Sequence, residues 1–357
     1  MPYAQANGAR IHYVTLPALP RCPADMKCLT LVHGGGGNAY AFLKQIPFFG
    51  SQGFFVISVS IRGWGASLLD FEDPEYYSAD YLAQDVAVVL DAIGAPKTAM
   101  LGHSVGGYSV ARFAMEYPSR LTHAIFSSTF YGLVDDPKES TTATPYISRY
   151  IQHRQTDQPE CERLAQEIKA TFPAETEGAS HPSCGPAEGR FEHPNKPDNF
   201  SAAFRQSSPD LCWMYDAFKD GNEQVLRLKL NQRFKVLHAQ GSVSPTELRA
   251  VYAGPILFTL TECDSLVHWE CVYLVAAQIA ALSQGATHVH WLEGELHHAP
   301  NIEDPDQYNR VVLNFLRGVE SLEKPVEAAH AEDDATAPHQ LQAGETNASR
   351  RKKARSS

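Results

Sequence analysis

The chain has 357 residues, 43% of them apolar, and a formal net charge of -11. That length suffices for one large core plus an inserted or appended unit. The acidic balance argues against nucleic acid or an anionic membrane surface as a partner. No run approaches the roughly eighteen apolar residues of a bilayer-spanning helix, and Met1-Pro2-Tyr3-Ala4-Gln5 lacks the basic and apolar regions of a signal peptide. Seven cysteines stand in no metal-type spacing and read as reduced and mostly buried. A cytoplasmic protein with a small-molecule substrate and no cofactor or metal is the expectation.

In chain order, Asn7-Gly8 marks a turn, and residues 9–16 follow as a strand. Leu29-Thr30-Leu31-Val32 is a short buried strand ending at His33, and Phe54 to Val59 is another. Residues 79–93 carry Leu82, Val86, Val89, Leu90 and Ile93 on one helical face, with Gly94 as the C-cap. Thr98 to Leu101 is a strand, Tyr108 to Tyr117 a helix stopped by Pro118, and Leu121 to Ser127 a strand. Alternation of this kind specifies a parallel sheet covered on both faces. The pattern breaks over 131–252, which is polar and proline-dotted, with helical pieces near 160–170, 210–219 and 223–238 and a long loop at 173–200. It resumes with a strand at Pro255–Leu260, a helix at about 268–283, a strand at Thr287–Leu292 and a last helix from Asp306 to Leu316. Residues 1–130 and 253–322 therefore form the core, 131–252 an inserted cap, and 323–357, rich in Ala, Glu, Asp, Gln and Ser, a disordered tail with a basic end.

Between the strand at 98 and the helix at 108 stands Gly102-His103-Ser104-Val105-Gly106. Strand, sharp turn and helix are the setting in which Gly-x-Ser-x-Gly is a nucleophile elbow. Small residues on both flanks let the serine stand at the tip while the two backbones pass close by. Ser104 is the candidate nucleophile.

Four motifs in order make the chain resemble the α/β-hydrolase superfamily over about 1–130 and 253–320. They are His33-Gly34-Gly35-Gly36-Gly37-Asn38, Arg62-Gly63-Trp64-Gly65-Ala66-Ser67, the elbow, and the pair Thr261-Glu262-Cys263-Asp264 and His297-His298-Ala299-Pro300-Asn301-Ile302-Glu303. The resemblance implies a mostly parallel central sheet with helices on both faces and a mainly helical cap. A serine hydroxyl needs a general base, and that base needs an orienting carboxylate. The family order is nucleophile, acid, histidine. Asp264, just past its strand, matches the acid, with Glu262 as competitor. His298 matches the base, because Glu303 follows five residues later; His297 replaces the usual glycine and leaves the two neighbours as alternatives. The family's oxyanion donors map to the backbone N–H groups of Gly35 and Val105. His33 reads as structural. Ser60 stands where the family often has Asp, a scaffold change.

The implied activity is cleavage of a carboxylic ester or lactone by Ser-His-Asp acyl-enzyme chemistry. Alternatives on the same fold are a carbon–carbon bond hydrolase of ring-cleavage products, a cofactor-free haloperoxidase, and a non-enzymatic receptor. Members of the first group usually carry Trp after the catalytic histidine, where this chain has Ala299. Epoxide hydrolases and haloalkane dehalogenases place Asp at the nucleophile position, which here is Ser104. Phe204, Trp213, Tyr215 and Phe218 are expected to line a cap pocket or to form the cap's own core.

Overall fold

The computed structural model describes residues 2–69, 77–136, 198–225, 242–283 and 287–318, with positions 163 and 237. Strands β1 (Tyr3–Ala6) and β2 (Ala9–Leu16) form a hairpin, turned at Gly8 with φ 66°. Then come β3 (Lys27–Val32), α1 (Gln45–Ser51), β4 (Phe54–Val59), the two-residue β5 (Leu68–Leu69), α2 (Ala79–Ile93), β6 (Thr98–His103), α3 (Gly106–Glu116) and β7 (Leu121–Ser127). Beyond them lie α4 (Ala202–Ser207), α5 (Pro209–Val225), α6 (Pro245–Val251), β8 (Ile256–Leu260), α7 (Trp269–Ser283), β9 (Thr287–Trp291), α8 (Pro300–Glu303) and α9 (Pro305–Arg317).

The strands run β1-β2-β4-β3-β6-β7-β8-β9, with β5 on β2. Every pairing from β4 to β9 is parallel, and β2 meets β4 antiparallel. The strand alternation explains why both faces are covered. On β3, Cys28 and Val32 join one apolar cluster with α2, α3 and α7, whereas Leu29 and Leu31 join another with Phe49 of α1 and Val312 and Leu316 of α9. Between β4 and α2, fully buried Arg62 grips Asp85 with two hydrogen bonds, 2.8 and 2.5 Å.

Parallel strands all deliver their loops to one sheet edge, where α/β folds build sites. The loops after β3, β6, β8 and β9 carry the His33 turn, Ser104, Asp264 and His298 to that edge.

The start and end of the inserted stretch pair with each other, Val134 donating to the Val243 carbonyl at 3.1 Å and Val243 to that of Gly132 at 2.9 Å, and the Asp136 N–H reaches the core, donating to Gln278 Oε1 of α7 at 3.0 Å. Within the stretch, residues 198–207 lie against the loop after β9: Ala299 donates to the Asn199 carbonyl at 3.0 Å. Trp213, expected in a pocket or a cap core, is in neither; it is 73% exposed, while Cys212 and Tyr215 are buried against Phe200, Ala299 and Ile302. The expected helices near 160–170 and 223–238, the loop at 173–200 and the tail at 323–357 fall largely or wholly outside the described residues. Five cysteines are described, all free thiols, with Cys28, Cys212 and Cys271 buried.

Candidate active site

Ser104 sits at φ 51°, in the left-handed region that non-glycine residues seldom occupy. The turn is held because Ser104 donates its N–H to the Ser127 carbonyl at 3.1 Å and accepts from Gly107 at 2.8 Å. The flanking glycines are required by contact. A Cβ on Gly102 would lie 2.3 Å from the Gly106 oxygen, and one on Gly106 would lie 2.3 Å from the Val32 oxygen. Both are backbone collisions, so strand β6, helix α3 and strand β3 can approach this closely only with hydrogen at these positions.

Asp264 and His298 are joined directly. His298 Nδ1 lies 2.8 Å from Asp264 Oδ2, and both residues are buried. The other carboxylate oxygen accepts from the N–H groups of Leu266 and Val267, each at 2.9 Å. Burial works to raise the Asp264 pKa, but the His298 ring and these donors outweigh it and hold the carboxyl below its ordinary range. An ionised carboxylate only accepts, so Nδ1 carries the proton and Nε2 is left as the basic nitrogen. Glu262, the competing carboxylate, does not hold this position.

The elbow meets the histidine loop through His103. Its Nε2 donates to the His298 carbonyl at 2.7 Å, and the two rings lie 4.8 Å apart. Burial, reinforced by the neighbouring His298 ring, pushes the His103 pKa down to about 3, so this histidine is neutral at physiological pH. Sequence reasoning missed its role, because the motif allows any residue there.

The glycine loop is set by donors on known sides. The Gly34 carbonyl accepts from His33 Nδ1 at 2.6 Å and from the Gly37 N–H at 3.0 Å. In a trans peptide the Gly35 N–H points opposite that carbonyl, so pinning one aims the other. The Trp64 indole fixes the next carbonyl, Gly35, at 2.7 Å. His33 Nε2 accepts from the Ile61 N–H at 2.9 Å, and complete burial lowers this histidine to about 4. A Cβ on Gly34 would lie 3.0 Å from the Ser104 Cβ, so the loop passes directly beside the elbow. Val105 is the N-cap of α3, where backbone N–H groups lack intrahelical acceptors. Ser60 accepts from the Ala39 N–H at 3.0 Å and bonds His12 at 3.2 Å, tying down the far end of the same loop. Among the described residues, no group of three or more His, Cys, Asp or Glu could hold a metal ion, and no helix is long and apolar enough to cross a membrane.

A family model described as "alpha/beta hydrolase fold" matches residues 28–297, which is most of the chain. The chain belongs to the alpha/beta hydrolase fold family. It is 27% identical over 168 residues to bifunctional epoxide hydrolase 2 of Sus scrofa, covering 46% of this chain and 29% of that protein. It is 35% identical over 98 residues to a 2-hydroxy-6-oxononadienedioate/2-hydroxy-6-oxononatrienedioate hydrolase of Burkholderia vietnamiensis, covering 27% of this chain and 33% of that protein. The matches thus span a third or less of these relatives' length. Among solved structures, the enol-lactonase from Burkholderia xenovorans LB400 superposes with a TM-score of 0.59 at 18% identity, covering 88% of this chain and 100% of that one, a likeness of fold.

Proposed function

We propose that the protein is a serine hydrolase that cleaves a carboxylic ester or lactone of a small, mostly apolar molecule. The observation that carries the reading is the buried Asp264–His298 pair, with His103 holding the histidine loop to the residue beside Ser104. In this reading His298 Nε2 takes the Ser104 hydroxyl proton as Oγ attacks the substrate carbonyl carbon. Negative charge collects on the carbonyl oxygen, where the N–H groups of Gly35 and Val105 receive it without reorganising. The tetrahedral adduct collapses to an acyl-enzyme as His298 returns the proton to the leaving alkoxide. Water then repeats the sequence, releasing the acid and restoring Ser104. Asp264 stabilises the imidazolium throughout and keeps its tautomer.

Ser104 in place of an aspartate argues against epoxide opening through an alkyl-enzyme ester, although some relatives carry that name. The acidic surface disfavours large anionic substrates. Core and inserted stretch are proposed as one hydrolase domain with a cap. A panel of short-chain aryl esters, lactones and a ring-cleavage dienoate tests the reading. Turnover of esters or lactones is expected. Turnover of the dienoate with negligible esterase activity would overturn the substrate class, and tight binding with at most one turnover would point to a receptor.

A further inference from the structure

The loop bearing His298 is held at each of three consecutive residues. The His297 carbonyl accepts from Thr261 Oγ1 at 3.2 Å, the His298 carbonyl accepts from His103, and the Ala299 N–H donates to Asn199 at 3.0 Å. The His297 N–H donates to Glu303 Oε2 at 2.6 Å. The other oxygen of the same carboxylate accepts from the Ser201 N–H at 2.7 Å. Ser201 belongs to the inserted stretch and is the N-cap of α4, where its own Oγ accepts from Phe204 at 3.1 Å. Beside it, Phe200 is buried against Ala299 and Ile302. Burial raises the Glu303 pKa, while the N–H groups of Ser201 and His297 pull it back.

Resting on the serine-hydrolase reading, we propose that Glu303 is a positioning residue, whose two oxygens tie the inserted stretch at Ser201 to the loop that holds His298 in line with Ser104. Only a carboxylate can do this. Both partners are N–H donors, so both side-chain atoms must accept. A glutamine of the same shape would turn an NH2 group on one of the two N–H groups. The inserted stretch thereby becomes part of the support of the general base. A displacement of that base by even about 1 Å costs on the order of 100-fold in rate.

Inactivation by a fluorophosphonate, measured on the whole chain, separates this from a purely structural role. End-point labelling of Ser104 counts folded sites, whereas the limiting rate kinact reads the Ser104–His298 geometry. Two variants are compared. Glu303→Gln breaks one arm and removes the charge that both N–H groups face. Ser201→Pro removes the N–H donor on the inserted side, at a residue whose φ of -63° already suits proline; it also removes the Oγ that caps α4, so it is read against Ser201→Ala, which loses the Oγ and keeps the N–H. Glu303→Gln and Ser201→Pro are both expected to label fully at the end point, with kinact reduced by about 10- to 100-fold in Glu303→Gln and several-fold in Ser201→Pro relative to Ser201→Ala, and a smaller change in KI. Should Glu303→Gln label incompletely, Ser201→Pro against Ser201→Ala decides alone. A kinact in Ser201→Pro within about twofold of that in Ser201→Ala overturns the coupling, even if Glu303→Gln is slow. An unlabelled wild type refutes the serine-hydrolase reading itself, and the proposal with it.

Discussion

His103 makes a stability prediction whose sign and size both follow from its surroundings. Folded, its pKa is depressed from 6.5 to about 3, by burial first and the His298 ring second. In the unfolded chain it titrates normally. Between those two values the unfolded state binds a proton that the folded state refuses, so stability is lost as pH falls below 6.5. Each such proton contributes about 1.4 kcal/mol per pH unit, which amounts to about 2 kcal/mol between about pH 7 and about pH 5 after allowing for the rounded onset. Other groups titrate in the same window, so the comparison needs a variant in which they cancel. His103→Gln keeps an N–H donor for the His298 carbonyl and cannot be protonated. Urea unfolding of both proteins across this range should show the gap in stability narrowing by about 2 kcal/mol on acidification. A gap that stays constant would mean that His103 titrates as an exposed histidine does, and that it is not sealed beneath the His298 loop.

Gly106→Ala drives a Cβ to 2.3 Å from the Val32 oxygen, so β3 and α3 must separate. A loss of about 1–3 kcal/mol is expected by thermal unfolding, together with slowed fluorophosphonate labelling; an unchanged rate would refute the close-approach account of the elbow. Asp85→Asn leaves the Arg62 guanidinium buried without its counter-charge and should cost about 3–5 kcal/mol, read by urea unfolding. A cost under about 1 kcal/mol would show that water reaches the pair. His298→Ala should lose several orders of magnitude in turnover, and His297→Ala far less; the reverse order would move the general base to His297.

Much of the core was legible because its elements carry unambiguous periods. Strands β4 and β7 and helix α2 span the expected residues, and Gly94 caps α2 in the left-handed conformation with φ 72°. Helix α1 was not read, because Pro47 and Gly50 within Gln45–Ser51 erase the helical signal. Strand β1 was missed because its buried residues are only Ala4 and Ala6. Among the described residues of α5, those buried are Cys212 and Tyr215, three apart and so on one face, which turns Trp213 outward; composition alone does not reveal this. At the site, the motifs pointed to Ser104, Asp264 and His298, of which Asp264 and His298 are joined by a hydrogen bond, but they did not reveal what holds these residues. His103 meets its partner carbonyl 195 residues away, and Glu303 served only as a spacing landmark until its two backbone partners were visible. Contacts between loops from different strands leave no local period to read.

The central claim is that Ser104 carries the acyl group. Rapid acid quench during turnover of an activated aryl ester, followed by trypsin and mass spectrometry, tests it most directly. The peptide between Lys97 and Arg112 contains Ser104 and one other serine, Ser109, which is buried in α3, so fragmentation distinguishes the two. The account predicts the acyl mass on Ser104, and its disappearance in Ser104→Ala. Full turnover with that peptide unmodified, or an adduct on any other residue, would contradict it.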